Sequence, residues 1–295
     1  MRALIPLLLA ILVQDEMKPL LDLRRTMREK KAAAALARTA AHDALDAADY
    51  DKAVSERKKA GELEAQAAEL KKREEKLATD AAASLIKSLM SDDIELRERA
   101  ASQLVIVGPA AMKLLEAVRK DADTEVRGRL DRVIKMLRDV EVDEDGRLRQ
   151  WAIGAKASTQ YSDEANGAKQ MIGKPDTMQG GDIRTAWAPT QQDAGEEWVE
   201  LEYEMSVKPL RIRVHETCGP GCAVKVEARD LDGAWHEVWK GADPTKECPG
   251  WLEIDIDAAA FTTKTIRITL DTSLVAGWNE IDAVELIGEA AAKKK

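Results

Sequence analysis

The hydrophobic period of this chain changes partway along it, and that change constrains the fold more than any other feature. Between Ala41 and Leu70, "AHDALDAADYDKAVSERKKAGELEAQAAEL" spaces Ala and Leu three and four residues apart, the period of a helix with one apolar face. Beyond residue 150 the period is two. "WVELEYEM" alternates Val199, Leu201, Tyr203 and Met205 with Glu200, Glu202 and Glu204, and "LRIRVHET" alternates Leu210, Ile212 and Val214 with Arg211, Arg213 and His215. The reading is a helical part followed by a β part.

Composition divides at the same place. Of eleven aromatic residues only Tyr50 precedes Trp151, and all seven tryptophans lie from Trp151 onward. Residues 1–150 carry 29 basic and 29 acidic side chains, so the whole net charge of -9 belongs to the second half. An acidic, aromatic-rich β part has no electrostatic footprint for nucleic acid. At 295 residues the chain has room for two ordinary domains.

"MRALIPLLLAILVQDE" places Arg2 ahead of eleven apolar residues, Ala3–Val13, and then acids. That is the length of a signal-peptide core and too short to cross a bilayer. Residues 1–14 therefore read as an export signal, with a buried N-terminal helix as the alternative; a membrane tether follows only if the segment is uncleaved. Residues 15–90 read as a coiled-coil-like helical hairpin that breaks near "AADYD".

Residues 91–140 hold an internal repeat: "DIELRERA", Asp93–Ala100, recurs as "DTEVRGRL", Asp123–Leu130, at an offset of 30. Asp93 caps a helix, Leu96, Ala100 and Leu104 form one apolar stripe, and "VGPAA" supplies a Gly stop and a Pro restart. The pattern resembles the short bacterial HEAT-like repeat. That resemblance implies that Arg97 and Arg127 link neighbouring helices. Residues 141–150, "EVDEDGRLRQ", read as an acidic linker, and 289–295 as a disordered tail.

Seven or more short strands separated by turns such as "CGPG" and "DLDG" indicate an antiparallel sandwich over 151–288. The stretches "ASTQYSDEANGAKQMIGKPDTMQGGDIRTAWAP", "EEWVELEYEMSV", "RVHETCGPGCAVKVEARD", "WHEVWKGADPT" and "GWNEIDAVELIG" are similar, in order, to a galactose-binding-like, discoidin-related jelly-roll module of exported bacterial proteins. The resemblance implies a non-catalytic module that binds sugars, lipids or proteins through loops at one end, often with a structural Ca2+. The departure from the family pattern is Cys218 and Cys222 around Gly-Pro-Gly.

"WNEIDAVELIG" raises its own question, because strict alternation puts Asp282 on the face of Val284 and Leu286. A carboxylate facing a core is costly unless partnered. Either it accepts bonds from backbone N–H groups or from Arg184, or with Asp182 or Glu280 it ligates Ca2+ through hard oxygens. Cys218 and Cys222 are placed to close a cross-strand disulfide in an oxidising compartment, leaving Cys248 free or pairing in place of one of them. Trp187, Trp198, Trp235 and Trp239 read as core; Trp251 and Trp278 follow Gly beside loops and are the candidate ligand-stacking residues.

No G-x-S-x-G, H-E-x-x-H or P-loop occurs, and His42, His215 and His236 are scattered. The sequence therefore reads as a non-catalytic, exported binding or scaffold protein, periplasmic, envelope-associated or secreted, in a bacterium. Its first partner class is protein; the alternative is a cell-surface glycan bound by the sandwich loops.

Overall fold

The computed structural model describes residues 5–143, 146–257 and 259–290, with 5–16 as helical backbone. It divides into two compact units, a helical one up to Leu137 and a β one from Arg138 onward. The order is five helices followed by an antiparallel sandwich, as the change of period requires.

In the helical unit, α1 (Ile5–Asp46) and α2 (Tyr50–Ser88) form the hairpin, and the break falls at Ala47–Asp49 in "AADYD". Asp49 caps α2 by accepting from the Lys52 N–H at 3.1 Å. The seam between the two helices is alanine: Ala34, Ala37, Ala41 and Ala44 from one side, Ala53, Ala60 and Ala67 from the other, each buried. Spacings of three, four and seven keep these small side chains on one stripe and let the backbones approach closely. Larger residues, Leu20, Leu85 and Leu89, fill the end where α1 begins and α2 stops. Ile5–Gln14 of the expected signal segment are the first turns of α1, and residues 1–4 lie outside the described residues. Among the described residues no helix is long and apolar enough to cross a membrane.

The remaining helices are α3 (Ile94–Val107), α4 (Pro109–Asp121) and α5 (Thr124–Asp139). Asp93 accepts from the N–H groups of Glu95 and Leu96, and Asp123 from that of Val126, so the two copies of the repeat cap alike. Arg97 and Arg127 behave alike too. Each reaches back to a carbonyl just ahead of its own helix, Ser91 O at 2.7 Å and Ala122 O at 2.9 Å. One long-range link is Arg24 of α1, which binds Glu74 of α2 and donates to Ile106 O and Val107 O. A guanidinium there satisfies carbonyls left open by the end of α3 and opposes its dipole.

The β unit comprises β1 (Glu141–Val142), β2 (Leu148–Trp151), β3 (Gly154–Ala157), β4 (Glu196–Cys218), β5 (Ala223–Asp230), β6 (Trp235–Lys240), β7 (Gly250–Asp255), β8 (Thr263–Asp271) and β9 (Glu280–Ala290). The path runs β1-β2-β9-β4-β8-β5-β6, with β3 and β7 also on β4. The two alternating stretches "WVELEYEM" and "LRIRVHET" are one 23-residue strand. Its first half pairs with β3 and β8, its second half with β7 and β9, and the register breaks between Glu202 and Val207. β4 thus passes from one layer to the other. At the break the Gln150 amide donates to Met205 O at 2.8 Å and accepts from Met205 N at 3.0 Å, satisfying backbone groups that the bulge leaves unpaired. Tyr203, wholly buried, spans the core to donate to Val284 O on β9.

Three expectations change here. The stretch 141–150 is not a linker: β1 and β2 lie in it, Leu148 and Gln150 are buried, and Gly146 at φ +79° makes the turn between them. The strand β9 continues through Glu289 and Ala290, paired with Lys208 and Val207, so the segment 289–295 begins as sheet; residues 291–295 lie outside the described residues. Of the four tryptophans read as core, only Trp187 is wholly buried. Trp198 and Trp235 lie on the outer face of their layer against the Arg267 guanidinium, at 4.9 and 4.4 Å, and Trp239 is half-buried.

Candidate functional site

The site is built where β4 ends and β7 and β9 begin. Pairing runs His215↔Ala283 and then Glu216↔Ile281, so β9 advances two residues while β4 advances one. Asp282 is the extra residue of a β-bulge, and the alternation that seemed to send its carboxylate into the core does not apply to it. Its Oδ2 meets His215 Nδ1 at 2.9 Å and accepts from the Thr177 N–H at 3.3 Å. The partners are a backbone N–H, as expected, and His215 in place of Arg184.

Three pairs of carboxyl groups surround this end. Asp176 lies against Asp282, and its pKa is raised by burial and then by that neighbour. Glu280, whose Oε2 accepts from the Ile183 N–H at 3.2 Å, lies against Asp182; burial first and Asp182 after it push Glu280 up to about 8. Glu216 accepts from the Gly221 N–H and lies against Asp243; burial and that second acid push it also up to about 8. The strand residues Asp282, Glu280 and Glu216 meet Asp176 and Asp182 of the segment between Met171 and β4 and Asp243 of the β6–β7 loop, so the pairs clip these two segments to the sheet.

The expected calcium set is divided by this arrangement. Asp282 is committed to His215, Thr177 and Asp176, while Asp182 and Glu280 stay together, and among the described residues no group of three or more His, Cys, Asp or Glu is disposed to hold a metal ion. The remaining pair suits a hard cation in its donor chemistry: two apposed carboxyl groups, with Glu280 Oε1 buried and unpartnered.

Above the carboxyl pairs the loops carry an aromatic platform. The Tyr161 ring, 58% exposed, meets the half-buried Trp278 edge-on with centroids 5.4 Å apart. Both are held from below. The Tyr161 N–H donates to Ala188 O, the Gly277 N–H to Asp193 Oδ1, and Asn279 Nδ2 to Gly219 O. Gly219, at φ +49°, lies so close to Trp278 O that a Cβ there would come within 2.3 Å of it. Of the pair, the sequence singled out Trp278 and not Tyr161, which stands in an irregular loop whose only signal is one aromatic among polar residues.

Trp251, the other candidate, lies on the outer face of the layer instead. It pairs with His215 across β4–β7, stacks on that imidazole at 4.5 Å and carries the Arg213 guanidinium at 4.3 Å. Its indole closes His215 and Asp282 off from water, and His215 is only 4% exposed. Next to it register aligns Trp151, Glu285, Arg213 and Glu253 in one row across four strands, and Arg149, Ile287, Arg211 and Asp255 in the next. Glu285 is buried between Arg149 and Arg213, at 2.7 and 3.0 Å. These rows floor an open groove of about 560 Å3.

The three cysteines are free thiols. Cys218 and Cys222, the expected bridge, stand in different surroundings. Burial first, and then Glu280, push Cys218 up to about 11, whereas Cys222 is buried near Glu216, Asp243 and Asp271, and its thiol is raised further still.

Residues 140–294 match the family model described as "Pappalysin-1, SD scarf domain, C-terminal". No curated protein matches the chain. Among solved structures, chitosan-binding module 1 from a chitosanase/glucanase of Paenibacillus sp. IK-5 is 17% identical over 46% of this chain and 96% of its own, with a TM-score of 0.36. The family 32 carbohydrate-binding module of C. perfringens NanJ, solved with galactose, is 17% identical over 47% of this chain and 98% of its own, also at 0.36. A pectin-binding carbohydrate-binding module is 19% identical over 48% and 94%, at 0.34.

Proposed function

We propose that this chain, which belongs to the family of the pappalysin-1 SD scarf domain, C-terminal, is a non-catalytic, exported recognition protein whose sandwich binds a glycan at the Tyr161–Trp278 platform. The observation that carries the reading is an exposed aromatic pair mounted on loops that are pinned by hydrogen bonds to the strand ends. Sugar rings present C–H faces to an indole or phenol ring and hydroxyls to the polar groups around it. A platform that is fixed before binding loses little conformational freedom on binding. The acid pairs below hold the loops in place, and Ca2+ on Glu280 and Asp182 would neutralise one pair and tighten the same clip. The helical unit then serves as a mount or as a second, protein-binding surface.

A second reading takes the same ligand class in the groove. There Arg147, Arg149, Arg211 and Arg213 stand among Asp143, Glu253 and Asp255, a mixed ladder of donors and acceptors that suits sugar hydroxyls.

A glycan array probed with the full chain, followed by titration of any hit, tests both. The platform reading expects Trp278→Ala and Tyr161→Ala each to weaken binding at least tenfold while Arg211→Ala binds as the parent does. The reverse pattern moves the site to the groove, and a chain that binds no glycan removes both readings.

A further inference from the structure

The cysteine that the hairpin turn seemed to pair with Cys218 is not the one that the sheet sets opposite it. β4 and β7 run antiparallel in unbroken register from Arg211↔Asp255 to Glu216↔Gly250. The pairing ends there, and Cys218 and Cys248 each stand two residues beyond its last pair, Cys248 in the bend that leads into β7. The segment leading into β7 follows the end of β4 there, because Cys248 Sγ donates to Thr217 O at 2.8 Å, next to Cys218 in the chain. Gly180 holds it from the other side: a Cβ at that position would meet Cys248 O at 2.3 Å and its Sγ at 2.8 Å. Cys222, by contrast, is carried past the Gly219 and Gly221 turn to the start of β5, where its carbonyl accepts from the Asp271 N–H on the other layer.

We infer that Cys218 and Cys248 are a disulfide pair that joins the end of β4 to the start of β7 when the protein enters an oxidising compartment. Adjacent antiparallel strands bring facing Cα atoms within the span that a disulfide needs. Cys248 is exposed, so an oxidant reaches it first. Formation is a two-electron oxidation: the Cys248 thiolate attacks a disulfide such as oxidised glutathione, one glutathione thiolate leaves, the Cys218 thiolate displaces the second, and the two protein thiols lose two protons in all. The Cys248 side chain gives up its bond to Thr217 O as it swings toward Cys218. Their proximity shows also in that Cys248 is among the groups that raise Cys218. The bridge closes the chain between Cys218 and Cys248, fastening the Asp243 and Thr245 loop and the segment beside Glu280 and Asp182. This pairing is independent of what the platform binds.

The test is a thiol map of the full chain equilibrated in a glutathione buffer poised for disulfide formation, alkylated in denaturant and cut with trypsin. Cys218 and Cys222 fall in one peptide, Val214–Lys225, and Cys248 in another, Glu247–Lys264. The expected product is these two peptides joined, with the alkyl group on Cys222. A bridge within Val214–Lys225, a link through Cys222, or three alkylated thiols overturns the pairing. A Cys222→Ala variant keeps the result independent of that buried residue: it should titrate no free thiol when oxidised and two when reduced, with its melting temperature falling by roughly 5–10 °C on reduction. Two free thiols in the oxidised variant would contradict the inference.

Discussion

The two units bury different things. Among the described residues, every buried polar or charged side chain, from Gln150 to Glu285, belongs to the sandwich, and the helical unit buries only apolar ones. Within its helices the helical unit satisfies its backbone internally; exposed or half-buried side chains finish the helix ends, Asp49, Asp93 and Asp123 at N-termini and Arg24 at the end of α3, and alanine supplies the seam. The sandwich bends a single strand through two layers, interrupts its registers with bulges and hangs loops on the strand ends. Each of those departures leaves a backbone group or a loop to be tied down, and Gln150, Asp282, Glu216 and Glu280 do the tying. The difference teaches that buried polarity here gathers in the unit whose backbone is irregular.

The sharpest way to break that comparison is at the corner of β4. Gln150→Leu removes both partners of Met205 and should destabilise the sandwich by about 2–5 kcal/mol, read as a fall in its chemical-denaturation midpoint by tryptophan fluorescence. The helical signal in circular dichroism should hold at that denaturant concentration. An unchanged midpoint would mean that the corner needs no amide.

A pH series comes next. Glu216 and Glu280 have folded-state values of about 8 against an ordinary 4.5, so the native sandwich binds more protons than the unfolded chain between those limits. Their contribution is greatest below about pH 4.5 and is lost as the pH rises to about 8, a change on the order of a few kcal/mol. Ca2+ added at pH 8 should recover part of it, and EDTA should reverse the gain. A fluorescence melting temperature that does not drop between pH 5 and 8 in EDTA would show that these acids are not the buried pairs described.

Smaller is the effect of Asp282→Ala, which strips His215 and the Thr177 N–H of their shared acceptor and should cost about 1–3 kcal/mol. Asp282→Asn should cost less, since its oxygen still accepts. Equal losses in both, measured by urea titration, would point to the charge rather than to the hydrogen bonds. Smallest is a substitution in the other unit: Asp93→Ala removes the cap of α3 and should cost about 1 kcal/mol there, without moving the tryptophan signal.

Legibility followed the same division. The alanine seam, the break at "AADYD", the Asp93 cap and the Gly108–Pro109 junction are local, and a periodic sequence displays them. The alternation of β4 was equally plain, and it held more than was taken from it. Trp198 shares its parity with Glu200 and Glu202, which already marked it as outward-facing, against Arg267 rather than core. What the sequence hid was non-local. A bulge at Asp282 changes parity only in relation to β4, and the "linker" is a hairpin because β9 offers its edge to Leu148–Trp151. In the candidate site, Trp278 announced itself by following Gly277, while Tyr161 depends on a contact made across more than a hundred residues.

The long course of β4 has a mechanical consequence. One continuous strand serves both layers, and its ladders to β8 and β9 lie end to end along it. A pull along it against the neighbouring strands loads those hydrogen bonds in shear, together, rather than peeling them in turn. A protein that gripped a surface at the loop end and was pulled from the opposite end of this strand would resist as a single brittle element, yielding all at once or not at all.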